Sequence, residues 1–137
     1  MGIGVYVAGK TDDWERVRRV QEAVVSANGD TFYITYDWTA LIEAEGADFG
    51  LEEASERLRA ELSDDDKTGV RQAELVIVCA DYKGLCGTLI ELGMAMAYEP
   101  AYGIIVVGEP ERNSIFFSDP IITRVPHEDD VVPALPA

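Results

Sequence analysis

Leu75-Val76-Ile77-Val78-Cys79-Ala80 is an unbroken apolar run, closed by Asp81. It has no polar alternation, so it has no face to turn toward water. Its β-branched residues favour a strand over a helix. A strand apolar on both faces belongs in the middle of a parallel sheet, covered by helices on each side. Parallel neighbours also need long crossover connections, usually helical. The rest of the chain must therefore supply more short strands separated by amphipathic helices.

It does so. Ile3 to Ala8 and Thr31 to Tyr36 read as strands one and two, and Ile104 to Val107 and Ile121 to Val125 as strands four and five. Between the first two, Trp14, Val17, Val20, Val24 and Ala27 recur at helical spacing, after the cap types Thr11 and Asp12 and before Asn28-Gly29. Leu51, Ala54, Leu58 and Leu62 mark another helix. Ser63-Asp64-Asp65-Asp66 reads as the cap of a further short helix ending near Ala73. Asp37-Trp38-Thr39 reads as a loop, residues 40–50 fit no single pattern, and Thr88 to Tyr98 is a helix stopped before Pro100. Pro126, Pro133 and Pro136 argue against a long C-terminal helix. The expectation is one α/β domain over residues 1–137, with about five parallel strands and helices on both faces, of the Rossmann-like type. Ligands of such sheets bind beyond the carboxyl ends of the strands. Those ends carry Gly9-Lys10, Asp37-Trp38, Asp81-Tyr82 and Gly108-Glu109.

The net charge of -15 sets a field that repels phosphate polymers, so DNA and RNA are not expected partners. No apolar run reaches the ~20 residues of a membrane span. The start of the chain lacks a basic segment ahead of its apolar stretch, and Tyr6 stands where a myristoylation signal needs Ser or Thr. A cytoplasmic location and no membrane partner are expected. Two cysteines and one histidine offer neither a disulfide framework nor a zinc set. Cys86 has no evident basic neighbour to activate it, and His127 falls in an acidic tail.

One motif matches and is rejected. Gly4-Val5-Tyr6-Val7-Ala8-Gly9-Lys10-Thr11 fits the P-loop pattern letter for letter. A P-loop needs a strand before its first glycine and a flexible loop after it. Here the intervening Val-Tyr-Val-Ala is itself strand-forming. What survives is Gly9 and Lys10 just past the first strand, placed to meet a phosphate or sugar.

The chemistry concentrates between Asp81 and Ala95. Thr88-x-x-Glu91 fits a capping box, with Glu91 bonding back to the Thr88 N–H. On spacing alone that is the simpler reading; the other is a carboxylate nucleophile in the first turn of a helix, whose dipole favours the ionised form. Gly87 allows close approach of a ligand.

Three stretches together decide between these. Val5-Tyr6-Val7-Ala8-Gly9, Gln72-Ala73-Glu74-Leu75-Val76-Ile77-Val78 and Gly87-Thr88-x-x-Glu91-Leu92-Gly93-x-Ala95 resemble the nucleoside 2-deoxyribosyltransferase family, which includes related nucleoside 5'-monophosphate N-glycosidases. The resemblance implies a flavodoxin-like sheet, a homodimer or larger homo-oligomer, a small nucleoside or nucleotide as partner, and neither metal nor other cofactor. It implies that Glu91 attacks the anomeric carbon and carries the deoxyribosyl group to a base or to water. It implies that Tyr6 orients the nucleophile, and that Asp66 stands at an acidic position of the glycosidase branch. Two departures stand out. The transferases usually carry Asp where this chain has Leu85, and Asp where it has Glu74. Leu85 cannot exchange a proton with a leaving base, so Asp81 becomes a candidate for that role. Tyr36 and Trp38 are expected at the rim, where an aromatic is placed to stack on a base, with Asp37 among the substrate-binding residues and Lys10 and Arg16 near a 5'-phosphate. Arg18 and Arg19 read as solvated surface. Two other functions fit the same residues: a non-catalytic nucleotide-binding module, and an enzyme that cleaves the nicotinamide–ribose bond of NAD.

Overall fold

The computed structural model describes residues 2–45, 56–80, 86–109 and 115–137. Five strands form one sheet: β1 (Ile3–Ala8), β2 (Phe32–Ile34), β3 (Leu75–Cys79), β4 (Ile104–Val107) and β5 (Ile122–Val125). Every pairing is parallel, in the order β2-β1-β3-β4-β5. That is the flavodoxin-like order, and its topological switch lies between β1 and β3. The run that most constrained the sequence is indeed central, and all of β3 is buried. The strand β1 runs through Gly4 to Ala8, so the stretch that mimics a P-loop is sheet and cannot wrap a phosphate.

The helix α1 (Trp14–Ser26) buries Val17, Val20, Gln21 and Val24 on one stripe. Gly29 then takes a positive φ of 62° that lets the chain turn back into β2. β2 is shorter than the apolar pattern implied. It pairs only through Phe32 to Ile34, as expected of an edge strand with one neighbour.

Two helices differ from expectation. The helix α2 (Thr39–Glu45) begins inside the stretch read as loop. Asp37 starts it by accepting a bond from the Thr39 N–H at 3.0 Å. The helix α3 (Glu56–Gln72) runs unbroken through Ser63-Asp64-Asp65-Asp66, so no second helix is capped there. Ser63, Asp64 and Asp65 are exposed, so water satisfies these polar side chains and nothing local stops the helix. The part of the predicted helix that includes Leu51 and Ala54 lies outside the described residues. The helix α4 (Cys86–Tyr98) starts two residues earlier than its pattern suggested. A one-turn helix, α5 (Val131–Ala134), contains Pro133 and buries Val131. Among the described residues no helix is long and apolar enough to cross a membrane.

Candidate active site

At the switch point, past the ends of β1 and β3, lies a cavity of about 600 Å³. Four segments line it. The turn after β1 gives Gly9, Lys10, Thr11 and Asp12, and α2 with the residue before it gives Trp38, Leu41 and Ile42. From α3 come Arg59, Leu62, Ser63, Asp66 and Lys67, and from α4 come Gly87, Thr88, Ile90, Glu91 and Met94. The α3 positions recur every three or four residues, which puts them on one helical face. Tyr6, on β1, completes the floor.

Tyr6 is 0% exposed, and its hydroxyl lies between two carboxyl groups. It donates to Asp66 Oδ1 at 3.3 Å, and the Glu91 carboxyl lies close enough to interact with the same hydroxyl. Gly69 makes room for this ring: a Cβ there would sit 2.8 Å from the Tyr36 Cβ and 2.9 Å from the Tyr6 ring. Burial, then the charges of Glu91 and Asp66, push ionisation of Tyr6 far above the usual phenol range. Tyr6 therefore remains a donor with one proton to give.

Glu91 is the more unusual group. Its Oε2 is buried and has no hydrogen-bond partner among the described residues. Burial pushes its carboxyl up to about 8, the Tyr6 bond opposes the rise, and the Asp66 charge adds to it. Asp66 is pushed up to about 6, again first by burial, with the Tyr6 bond opposing and Asp65 adding. The helix dipole was expected to keep Glu91 ionised, but removal from water outweighs it. Two carboxyls bridged by one phenol are best satisfied when they share a single extra proton, as in other close carboxylate pairs.

Thr88 lies within α4 rather than at its cap, and Glu91 reaches Tyr6, so the capping-box reading does not describe this pair. Asp66 is likewise no helix cap: it sits mid-helix with its side chain on Tyr6.

The cavity brings together Glu91, Tyr6, Asp66, Gly9, Lys10, Trp38, Gly87 and Thr88. Trp38 is only 8% exposed, and its indole N–H donates to the Val7 carbonyl at 2.9 Å. Its ring is thus held at a fixed angle against the cavity. Lys10 lies 3.7 Å from Asp12. Asp37 is not among the lining residues; its carboxylate is engaged with Thr39 and stands 4.0 Å from Arg18. Arg16 does not line the cavity either, and pairs with Asp13 at 3.4 Å. Asp81 and Leu85 lie outside the described residues. Sequence reasoning missed Leu41, Ile42, Arg59, Leu62, Ser63 and Lys67. The face from Arg59 to Lys67 becomes legible only once α3 is read as one helix. Among the described residues no cluster of His, Cys, Asp and Glu could hold a metal ion.

Comparison with known proteins adds a fold neighbour. Neither a family profile nor a curated protein matches the sequence. Among solved structures, the chain is similar to a 2-deoxyribosyltransferase from the psychrotolerant bacterium Bacillus psychrosaccharolyticus, described as a biocatalyst for synthesis of antiviral and antitumoral nucleosides. The TM-score is 0.62 at 16% identity, over 94% of this chain and 90% of the other. At that identity the likeness establishes the architecture: this chain has the α/β fold of that 2-deoxyribosyltransferase along nearly its whole length.

Proposed function

We propose that the protein breaks the N-glycosidic bond of a deoxynucleoside or nucleoside 5'-monophosphate through a covalent intermediate on Glu91. One observation carries the reading: Glu91 lines a nucleoside-sized cavity beside Tyr6, with its Oε2 buried and without a partner among the described residues. Such an oxygen is costly unless it is used. The shared fold and the sequence resemblance point to the same chemistry.

In the first step a Glu91 carboxylate oxygen bonds to the anomeric carbon while the carbon–nitrogen bond breaks. The electron pair leaves with the base nitrogen, which takes up a proton. Asp66 is the described group suited to supply it, since burial raises its carboxyl toward neutrality. In the second step water or another base attacks the anomeric carbon and gives its proton to the Asp66 carboxylate. The bond to Glu91 breaks and the carboxylate is restored. Tyr6 holds Glu91 in line throughout. Trp38, Leu41 and Ile42 offer an apolar wall for the base. Lys10, Arg59 and Lys67 place three cations around the cavity of a strongly acidic chain, which favours a phosphorylated substrate.

The protein is further proposed to pair with a second copy through α4. Leu89, Ile90 and Tyr98 are 45%, 60% and 48% exposed. The only charged residue of α4 is Glu91, turned inward. In a chain of net charge -15, two copies meet there with least repulsion. Sedimentation should give a dimer for wild type and a monomer for Leu89→Glu/Tyr98→Glu; a wild-type monomer contradicts this.

The activity test is free-base release from a panel of deoxynucleosides, their monophosphates and NAD. Wild type is expected to release base and Glu91→Ala to release none. Equal release by both rules out the mechanism. Thermal stabilisation without release across the panel would mark a non-catalytic binder, favoured by Leu85. Release from NAD alone would move the substrate to the nicotinamide–ribose bond.

A further inference from the structure

Arg18 reads from sequence as solvated surface, and the structure places it elsewhere. Its guanidinium donates to Thr39 Oγ1 through Nε at 3.2 Å and Nη2 at 3.1 Å. Nη1 pairs with Glu43, and Nη2 is 4.0 Å from Asp37. The group also lies over the Trp14 ring, 5.3 Å from its centroid. Thr39 is 0% exposed, and its hydroxyl reaches Asp37 and, at 3.3 Å, the Oε1 of buried Gln21. One side chain of α1 thus ties down the loop before α2 and the first two turns of α2 itself.

The tie matters because of what α2 carries. Trp38, Leu41 and Ile42 form one wall of the cavity. A helix of seven residues does not hold itself together in water. Without Arg18, Asp37 and Glu43 would stand unneutralised in a chain of net charge -15. The reacting groups are mounted elsewhere, on β1, α3 and α4. Arg18, Gln21 and Thr39 do not line the cavity.

We propose that Arg18 is a positioning residue that clamps the α2 wall, setting affinity for the nucleoside without entering the reaction. This rests on the cavity being a nucleoside site. The test uses Trp14→Phe as background, which leaves Trp38 the sole tryptophan of the chain. Arg18→Met should raise KM for the deoxynucleoside that wild type cleaves by about tenfold while kcat stays within about twofold. Acrylamide quenching of Trp38 should increase in parallel. Arg18→Lys should fall between, because a point ammonium cannot fork between Thr39 and Glu43. If Arg18→Met does not fold, Arg18→Lys decides by the same readouts. A drop in kcat at unchanged KM overturns the proposal, since it reports only lost folded enzyme. A raised KM with unchanged quenching also overturns it. If wild type cleaves no substrate, the proposed function fails, and quenching alone then decides the clamp: an increase upholds it and no change overturns it.

Discussion

Two polar clusters serve the same cavity, one behind its α2 wall and one at its floor, and they are built on opposite terms. Around Arg18, the carboxylates of Asp37 and Glu43 meet a cation, and the hydroxyl of Thr39 is bonded on several sides. Around Tyr6, the carboxyls of Asp66 and Glu91 share one neutral phenol, and one Glu91 oxygen has no described partner. The first cluster pairs its charges and holds a wall in place, with the neutral Gln21 Nε2 its one buried atom lacking a described partner. The second stores an unmet demand for a proton or an electrophile. A buried acid left without a counterion marks chemistry more reliably than an acid neatly paired.

The two clusters therefore fail differently. The largest effect belongs to Glu91→Gln, which keeps the shape but removes the nucleophile. Base release should fall at least about 10³-fold, read in single-turnover assays. Next is Tyr6→Phe, which removes a hydrogen bond to a charged group and should cost about 10- to 100-fold in kcat. That bond lowers both Glu91 and Asp66, so its loss moves the pH profile to higher pH.

The wild-type pH profile is a third test. Glu91 attacks only when ionised and Asp66 donates only when protonated, so the pair works while it holds one proton, and kcat/KM should be bell-shaped, highest between about 6 and about 8. Stability behaves differently. In the unfolded chain Glu91 ionises near its ordinary 4.5, whereas the folded chain holds the proton to about 8. Across that window the native state binds more protons, so stability falls as pH rises. Glu91→Gln should therefore melt higher than wild type above pH 8, by on the order of 1 kcal/mol or more. Equal melting there would place Glu91 in water. The smallest effect expected at the reacting cluster is from Gly69→Ala, whose methyl crowds Tyr6 and Tyr36. It should cost about 1–3 kcal/mol of stability in denaturant titration.

The sheet was legible because burial writes itself into sequence. Leu75 to Cys79 is apolar on both faces, and it is buried on both. The helices near the site were harder. Ser63-Asp64-Asp65-Asp66 has the composition of a cap, yet α3 continues, because its other face packs Gly69 and Val70 inward while water takes the acids. That misreading hid the cavity face of α3. The short helix α2 has too few residues for a period to show. Its anchor, Arg18, lies 21 positions away from Thr39, beyond any local pattern. Glu91 was found by motif, but its protonation was not. Spacing reveals a helix terminus, whereas the opposing loss of water depends on the whole cavity.

The central claim is that Glu91 forms a bond to the sugar. A 2'-fluoro-arabinosyl nucleoside destabilises the glycosyl transition state and slows release of the trapped sugar. Intact-mass measurement after incubation should show one added fluoroarabinosyl group per chain, which peptide mapping places on Glu91 and which Glu91→Gln lacks. Base release from the natural substrate with no adduct, or an adduct on another residue, would contradict the account.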